Sequence, residues 1–140
     1  MKKQTFIAAC AAVIFFLVVA STFLVPHTTK TVDMDIKVAS GKLIGINLDS
    51  DAVHFGKVPT SEVTGTKAER NLVVDSGEAK VKVIIRPGGL LGQWVIIEPT
   101  EFNLDKHEAM TVNLTAIVPA GTPVGNYTGK LDILFMQRFF

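Results

Sequence analysis

Glu108 to Phe135 reads "EAMTVNLTAIVPAGTPVGNYTGKLDILF", and its two halves decide the fold. In the first, Met110, Val112, Leu114 and Ala116 fall on one side of an extended chain, while Thr111, Asn113 and Thr115 fall on the other. Such alternation marks a strand with one face buried and one in water. A connection rich in Pro and Gly follows, and then a second alternating run, in which Leu131, Ile133 and Phe135 face inward while Lys130 and Asp132 face outward.

Working outward, the same period recurs with no long stretch of helical spacing. The strand candidates are "TVDMDIKVA", "KLIGINL", "ERNLVVD", "KVKVIIR", "QWVII", "EAMTVNLTAIV" and "YTGKLDILFM". Turns are expected at "ASGK", "DSGEA", "RPGG", "EPTEF" and "PAGTPVGN". About seven short strands over roughly 110 residues predict an all-β, immunoglobulin-like antiparallel sandwich of two sheets. At 140 residues the chain has room for one such domain.

The first 26 residues stand apart. Lys2 and Lys3 are followed by Phe6 to Val25, twenty residues without a charge, and then by Pro26. That length is enough to cross the hydrocarbon core of a bilayer as a helix, about 30 Å. The two lysines place the N-terminus in the cytoplasm and the rest outside. The alternative is a cleaved signal peptide, with Val18 and Ala20 before the cut and Ser21 starting the mature chain. The uninterrupted apolar length favours a retained anchor. The expected organisation is residues 1–26 as the transmembrane signal-anchor, 27–31 as a short stalk, and 32–140 as the extracytoplasmic sandwich.

Cys10 lies inside the apolar run, with most of the apolar residues after it, so it is read as a lipid-facing or helix-packing residue rather than a lipidation site. A hydrophobic helix ahead of a β-rich head resembles archaeal pilins and archaellum components. However, no Gly or Ala precedes the run and no Glu lies near its start. Beyond the anchor there is no cysteine, and the fold must rest on its apolar core. Leaving out Lys2 and Lys3, twelve Lys and Arg stand interspersed with thirteen Asp and Glu, a balance that gives no support to nucleic-acid binding.

Catalytic patterns are missing: there is no Gly-x-Ser-x-Gly, no His-Glu-x-x-His and no Gly-rich phosphate loop. His27, His54 and His107 have no spacing that would gather them around a metal. The nearest approach to a cation site is "NLDSDAVH", where Asn47, Asp49 and Asp51 recur at every second position. The Gly and the bidentate acid of a calcium loop are replaced there by Ala52 and Val58, and a polar turn is the preferred reading. No cofactor is expected. Two sequons, at Asn113 and Asn126, are expected to be exposed and could accept N-linked sugar on an exported domain. Tyr127 is read as a corner tyrosine whose hydroxyl ties the loop to the strand. Trp94, within four successive apolar residues, is expected to be buried or to mark a strand crossing between sheets.

In order along the chain, "VHFGKVPTSEVTGTKAERNLVV", "AKVKVIIRPG" and "PTEFNLDKHEAMTVNLTAIVPAGTPVGNYTGKLDILF" resemble the immunoglobulin-like modules of archaeal and bacterial surface proteins, akin in pattern to the major-sperm-protein and Hydin-type group. The resemblance covers His54 to Phe135. It implies a non-catalytic binding or structural module of the cell envelope, with a protein partner or self-association and no nucleic acid. A pilus-like or surface-layer subunit is the alternative. Such modules place one more strand after the segment that here gives way to "FMQRFF". Either "VDMDIKV", Val32 to Val38, fills that gap or a partner strand does. Leu134, Met136, Phe139 and Phe140 interrupt an otherwise polar outer face. They are expected either to be covered by the chain itself or to contact a partner.

Overall fold

The computed structural model describes residues 9–19, 28–40, 52–61 and 63–138. Helix α1 covers residues 9–19. Eight strands follow: β1 (Thr28–Ala39), β2 (Val53–Pro59), β3 (Thr66–Asp75), β4 (Val81–Gly88), β5 (Val95–Glu98), β6 (Glu101–Leu104), β7 (Ala109–Val118) and β8 (Gly125–Gln137). A short helix, α2 (Gly89–Gly92), joins β4 to β5. The strands form a five-stranded sheet in the order β2-β1-β8-β4-β6 and a three-stranded sheet in the order β3-β7-β5.

One continuous core lies between the sheets. Met34, Ile36 and Val38 of β1, Val83 and Ile85 of β4, and Leu131 and Ile133 of β8 meet Ala68 and Val74 of β3 and Val112, Leu114 and Ala116 of β7. Within most of these strands the core positions are two apart, which is why the alternation in the sequence locates them. The inward positions expected for Glu108 to Phe135 are buried or half-buried.

Eight strands rather than seven are present among the described residues, and the difference has local causes. In β2, Val53, Phe55 and Val58 all face the core. Between Asp35 and Lys37 of β1 the ladder shifts, because β2 advances from His54 to Lys57 over the same interval. Gly56, at φ 81°, takes up the extra residue as a bulge. That break in period two hides the strand from a pattern search. β6 begins within the expected turn "EPTEF", at Glu101 and Phe102, and is only four residues long. The candidate "KLIGINL" lies outside the described residues.

Two further expectations change. The sandwich is not wholly antiparallel, since β1 and β2 pair in parallel. Residues 28–31, expected in a stalk, belong to β1 and pair with Phe135, Leu134, Ile133 and Asp132 of β8. The apolar segment Phe6 to Val25 is described only over residues 9–19. Among the described residues no helix is long and apolar enough to cross a membrane.

The gap beside β8 is filled by β1, paired with it in register from Thr28↔Phe135 to Val38↔Gly125. The strand from Val32 to Val38 therefore serves within the same chain. One flank is covered by Arg70, which reaches from β3 to donate through Nε to the carbonyl oxygen of His54 at 2.7 Å and through Nη2 to that of Phe55 at 3.3 Å. On the other flank the chain passes from β5 in one sheet to β6 in the other at the cis Glu98–Pro99 bond.

Candidate binding surface at the loop end

The ladder registers define two ends. At one end lie the last residues of β1, β2 and β7 and the first of β3 and β8. Residues 60–65 and 119–124 connect strands there, and α2 lies on the same side after β4. Pro, Gly and Thr dominate these connections, because the chain must reverse direction within a few residues.

The loops are tied to one another. Gly121 N–H donates to Ser61 O at 2.8 Å, joining the β7–β8 connection to the β2–β3 connection. Thr60 N–H donates to Ala39 O at 3.1 Å, and Thr66 Oγ1 donates to Pro59 O at 3.1 Å. Thr122 Oγ1 caps Pro119 O at 2.7 Å. The Tyr127 hydroxyl donates to Pro123 O at 2.8 Å, as expected of a corner tyrosine. Its ring lies 5.0 Å from that of Trp94, tilted by 54°. Close by, Leu91 is fully buried, and its Cβ lies 3.0 Å from where a side chain at Gly129 would begin.

On this tied framework stand three exposed apolar side chains from three connections: Val63 (88% exposed), Val124 (60%) and Leu90 (52%). Holding loops by backbone hydrogen bonds lowers the ordering cost of binding, and exposed apolar side chains supply contact area. No polar or charged residue is buried among the described residues. No group of three His, Cys, Asp or Glu converges among them in a way that could hold a metal. What the loop end presents to solvent is these apolar side chains together with the hydroxyl-bearing Thr60 and Thr64.

The residues singled out in the sequence are dispersed. Asn47, Asp49 and Asp51 lie outside the described residues, as do His27, Phe139 and Phe140. His54 is on the outer face of β2, its Nδ1 2.7 Å from Asp35 Oδ2. His107 occupies the turn before β7 at φ 59°, with Nε2 3.6 Å from Glu78. Asn113 is exposed in the middle of β7, between Asn71 of β3 and Glu98 of β5. Asn126 is exposed at the start of β8 opposite Lys37. The two sequons therefore lie on different sheets.

Leu134 and Met136 are half-buried on the outer face of the five-stranded sheet, opposite Ile84 and Lys82 of β4. Trp94 is half-buried rather than enclosed, and Ile96 two residues on is exposed, so "QWVII" is a strand with one buried face. Cys10 is exposed on α1.

Val63, Leu90 and Val124 drew no notice in the sequence, because each is a single apolar residue within a turn-rich segment. Arg70 also went unnoticed: within "ERNLVVD" it is one charge among several, and nothing local shows that it reaches another strand.

No family model matches the chain, and no curated protein matches it. Among solved structures it is similar to the DraE adhesin in complex with chloramphenicol succinate, with 14% identity over 81% of this chain and 98% of that one and a TM-score of 0.47. It is also similar to the AfaE-3 adhesin from Escherichia coli, with 14% identity over 79% of this chain and 96% of that one and a TM-score of 0.42. These values describe a loose likeness among all-β chains, too distant to carry a function from one to another.

Proposed function

We propose that this chain is a membrane-anchored, extracytoplasmic immunoglobulin-like module that binds or scaffolds within the cell envelope and performs no chemistry of its own. The observation that carries this reading is the loop end, where hydrogen-bonded connections hold Val63, Leu90 and Val124 out in water over a fully apolar core. The partner that fits is a protein surface of the envelope, since exposed apolar side chains with a hydroxyl rim match the composition of protein contacts. The N-terminal segment supports the anchored part of the reading. The side chains of Val13 through Val18 on α1 are all exposed, so this helix is apolar on every side. A helix of that kind is buried in lipid or against its own kind.

The same helix also favours a second reading, as a subunit of a pilus-like or surface-layer assembly packed through its N-terminal helices. Val73 and Ile96, exposed on the outer face of the three-stranded sheet, would then meet neighbouring subunits.

The test compares the wild-type chain with Val63→Asp, Leu90→Asp and Val124→Asp for capture of envelope proteins in crosslinking on intact cells. The first reading expects the crosslinked partner to be lost with an unchanged thermal midpoint. Retained capture in all three variants, with loss on Val73→Asp and Ile96→Asp, would favour the assembly reading.

A further inference from the structure

Among the described residues the outermost strands of the two sheets are β2 and β3 on one flank and β5 and β6 on the other. Arg70 lies across the first flank, on the carbonyl oxygens of His54, Phe55 and Glu69. On the second flank Glu101 and Asn103 stand exposed on β6, with Glu101 2.6 Å from Lys82, and charge of this kind discourages pairing with another chain. β5 has no such guard: it reads Val95-Ile96-Ile97-Glu98 and carries no charge before its last residue.

Ile117 N–H donates to Trp94 O at 2.7 Å, which fixes the phase of the ladder between β5 and β7. In an antiparallel pair, residues that turn their backbone groups to the partner strand alternate with residues that turn them away. Ile96 and Glu98 therefore bond to β7, while Val95 and Ile97 direct their N–H and C=O groups to the open side. Among the described residues no protein group meets them there. The side chains of Val95 and Ile97 are buried in the core, whereas Ile96 on the outer face is 49% exposed beside the uncharged Thr115. We infer that β5 is a self-association edge, through which two copies of this chain pair antiparallel with Ile96 at the two-fold axis, joining two three-stranded sheets into one.

The strand is complementary to itself. With the axis at Ile96, Val95 of each copy exchanges both backbone bonds with Ile97 of the other, and every group on the open side is used. An axis at Ile97 would set Val95 against Pro99, which has no N–H to give. An axis at Val95 would set Ile97 against Gln93, whose N–H is already held by Leu90 O at 3.2 Å. Ile96 meets its own copy as a non-hydrogen-bonded pair, the closer kind, with Cα atoms about 4.5 Å apart. Glu98 falls opposite Trp94 of the second copy rather than opposite itself, so no like charges face each other.

The contact is small and belongs to the reversible class. It needs neither the loop end nor α1, so it goes beyond both functional readings and gives Ile96 one defined neighbour. The pair is antiparallel: in one bilayer it forms between chains lying flat on their sheets, and upright chains form it only across two facing membranes.

The experiment uses the full chain in detergent, which lifts the constraint of a shared bilayer. In a Cys10→Ala background, Ile96→Cys, Glu98→Cys and Val73→Cys are each oxidised with copper phenanthroline in air and separated on a non-reducing gel. Ile96→Cys is expected to give covalent dimer about tenfold faster than the other two, because only there does the separation fall within the disulfide range of about 4.4–6.8 Å. Sedimentation over a concentration series should show a reversible wild-type dimer. Ile96→Lys, which sets two ammonium groups face to face, should weaken it about tenfold or more and shift the thermal midpoint by no more than a few degrees.

Equal crosslinking at the three positions would overturn the inference, since collision alone would explain it. A dimer unchanged by Ile96→Lys would overturn it too, because the contact would then lie elsewhere, as in α1. So would a wild-type chain that stays monomeric at every concentration. Oxidation on intact cells separates the remaining occupant: Ile96→Cys joined to a different protein, and not to its own copy, would overturn self-pairing and give the edge to that protein's strand.

Discussion

Arg70 Nε and the carbonyl oxygen of His54 meet at 2.7 Å across the seam between the two sheets. With Nη2 on Phe55 O and Nη1 on Glu69 O, one guanidinium occupies three backbone acceptors along an edge that would otherwise be open to another strand. Arg70→Ala should cost about 1.5–3 kcal/mol in urea unfolding, the range for hydrogen bonds to a charged group. It should also make the folded domain associate, visible as concentration-dependent growth in light scattering. A variant as stable and as monodisperse as the wild type would show that the edge is protected by something else.

Gly129 lies where β8 passes beneath α2. A Cβ there would stand 2.9 Å from Gly88 O, 3.0 Å from Leu91 Cβ and 3.1 Å from Gly92 N. Two of these are backbone atoms that cannot swing aside. Gly129→Ala is therefore expected to destabilise by about 1–3 kcal/mol through overpacking. Gly125→Ala, four residues earlier, meets nothing nearer than the Tyr127 ring at 3.7 Å and should leave the midpoint nearly unchanged. Equal effects at the two positions would refute the close approach.

Tyr127→Phe removes the hydroxyl that holds Pro123 O and should lower stability by about 0.5–1.5 kcal/mol. Hydrogen exchange should rise in residues 119–124, with little change at the other end of the sandwich. Trp94→Ala should cost about 2 kcal/mol, below the range for an enclosed Trp, because Trp94 is half-buried. Calorimetry on Tyr127→Ala, Trp94→Ala and the double variant, each of which removes a ring, would measure the coupling of the two rings. Strict additivity would show that their 5.0 Å approach carries no energy.

Leu134 and Met136 lie next to Ile84 on the outer face, each partly covered by neighbours on its own sheet. Leu134→Ser should destabilise the protein by about 1 kcal/mol, in proportion to the area still buried. Sedimentation would distinguish the roles: a lower midpoint with unchanged mass supports internal cover, while an unchanged midpoint with lost self-association supports a contact surface.

What the sequence determined by itself was the composition of the layers. Period two along β4, β7 and β8 placed Val83, Leu114 and Leu131 inside and Lys82, Asn113 and Lys130 outside, because a strand's side chains alternate whatever its neighbours. The Tyr127 corner was legible too, since its partner Pro123 is only four residues away. Tertiary structure alone decided which strands are neighbours. The pairing of Thr28 with Phe135 spans almost the whole domain, and no local pattern encodes it. The bulge at Gly56 removed β2 from the alternation, and the edge-covering role of Arg70 emerged only when β3 was brought against β2. Loops distant in sequence became one surface for the same reason: Gly121 and Ser61 share a hydrogen bond because β2, β3, β7 and β8 meet at one end, and that meeting is a property of the packed sheets.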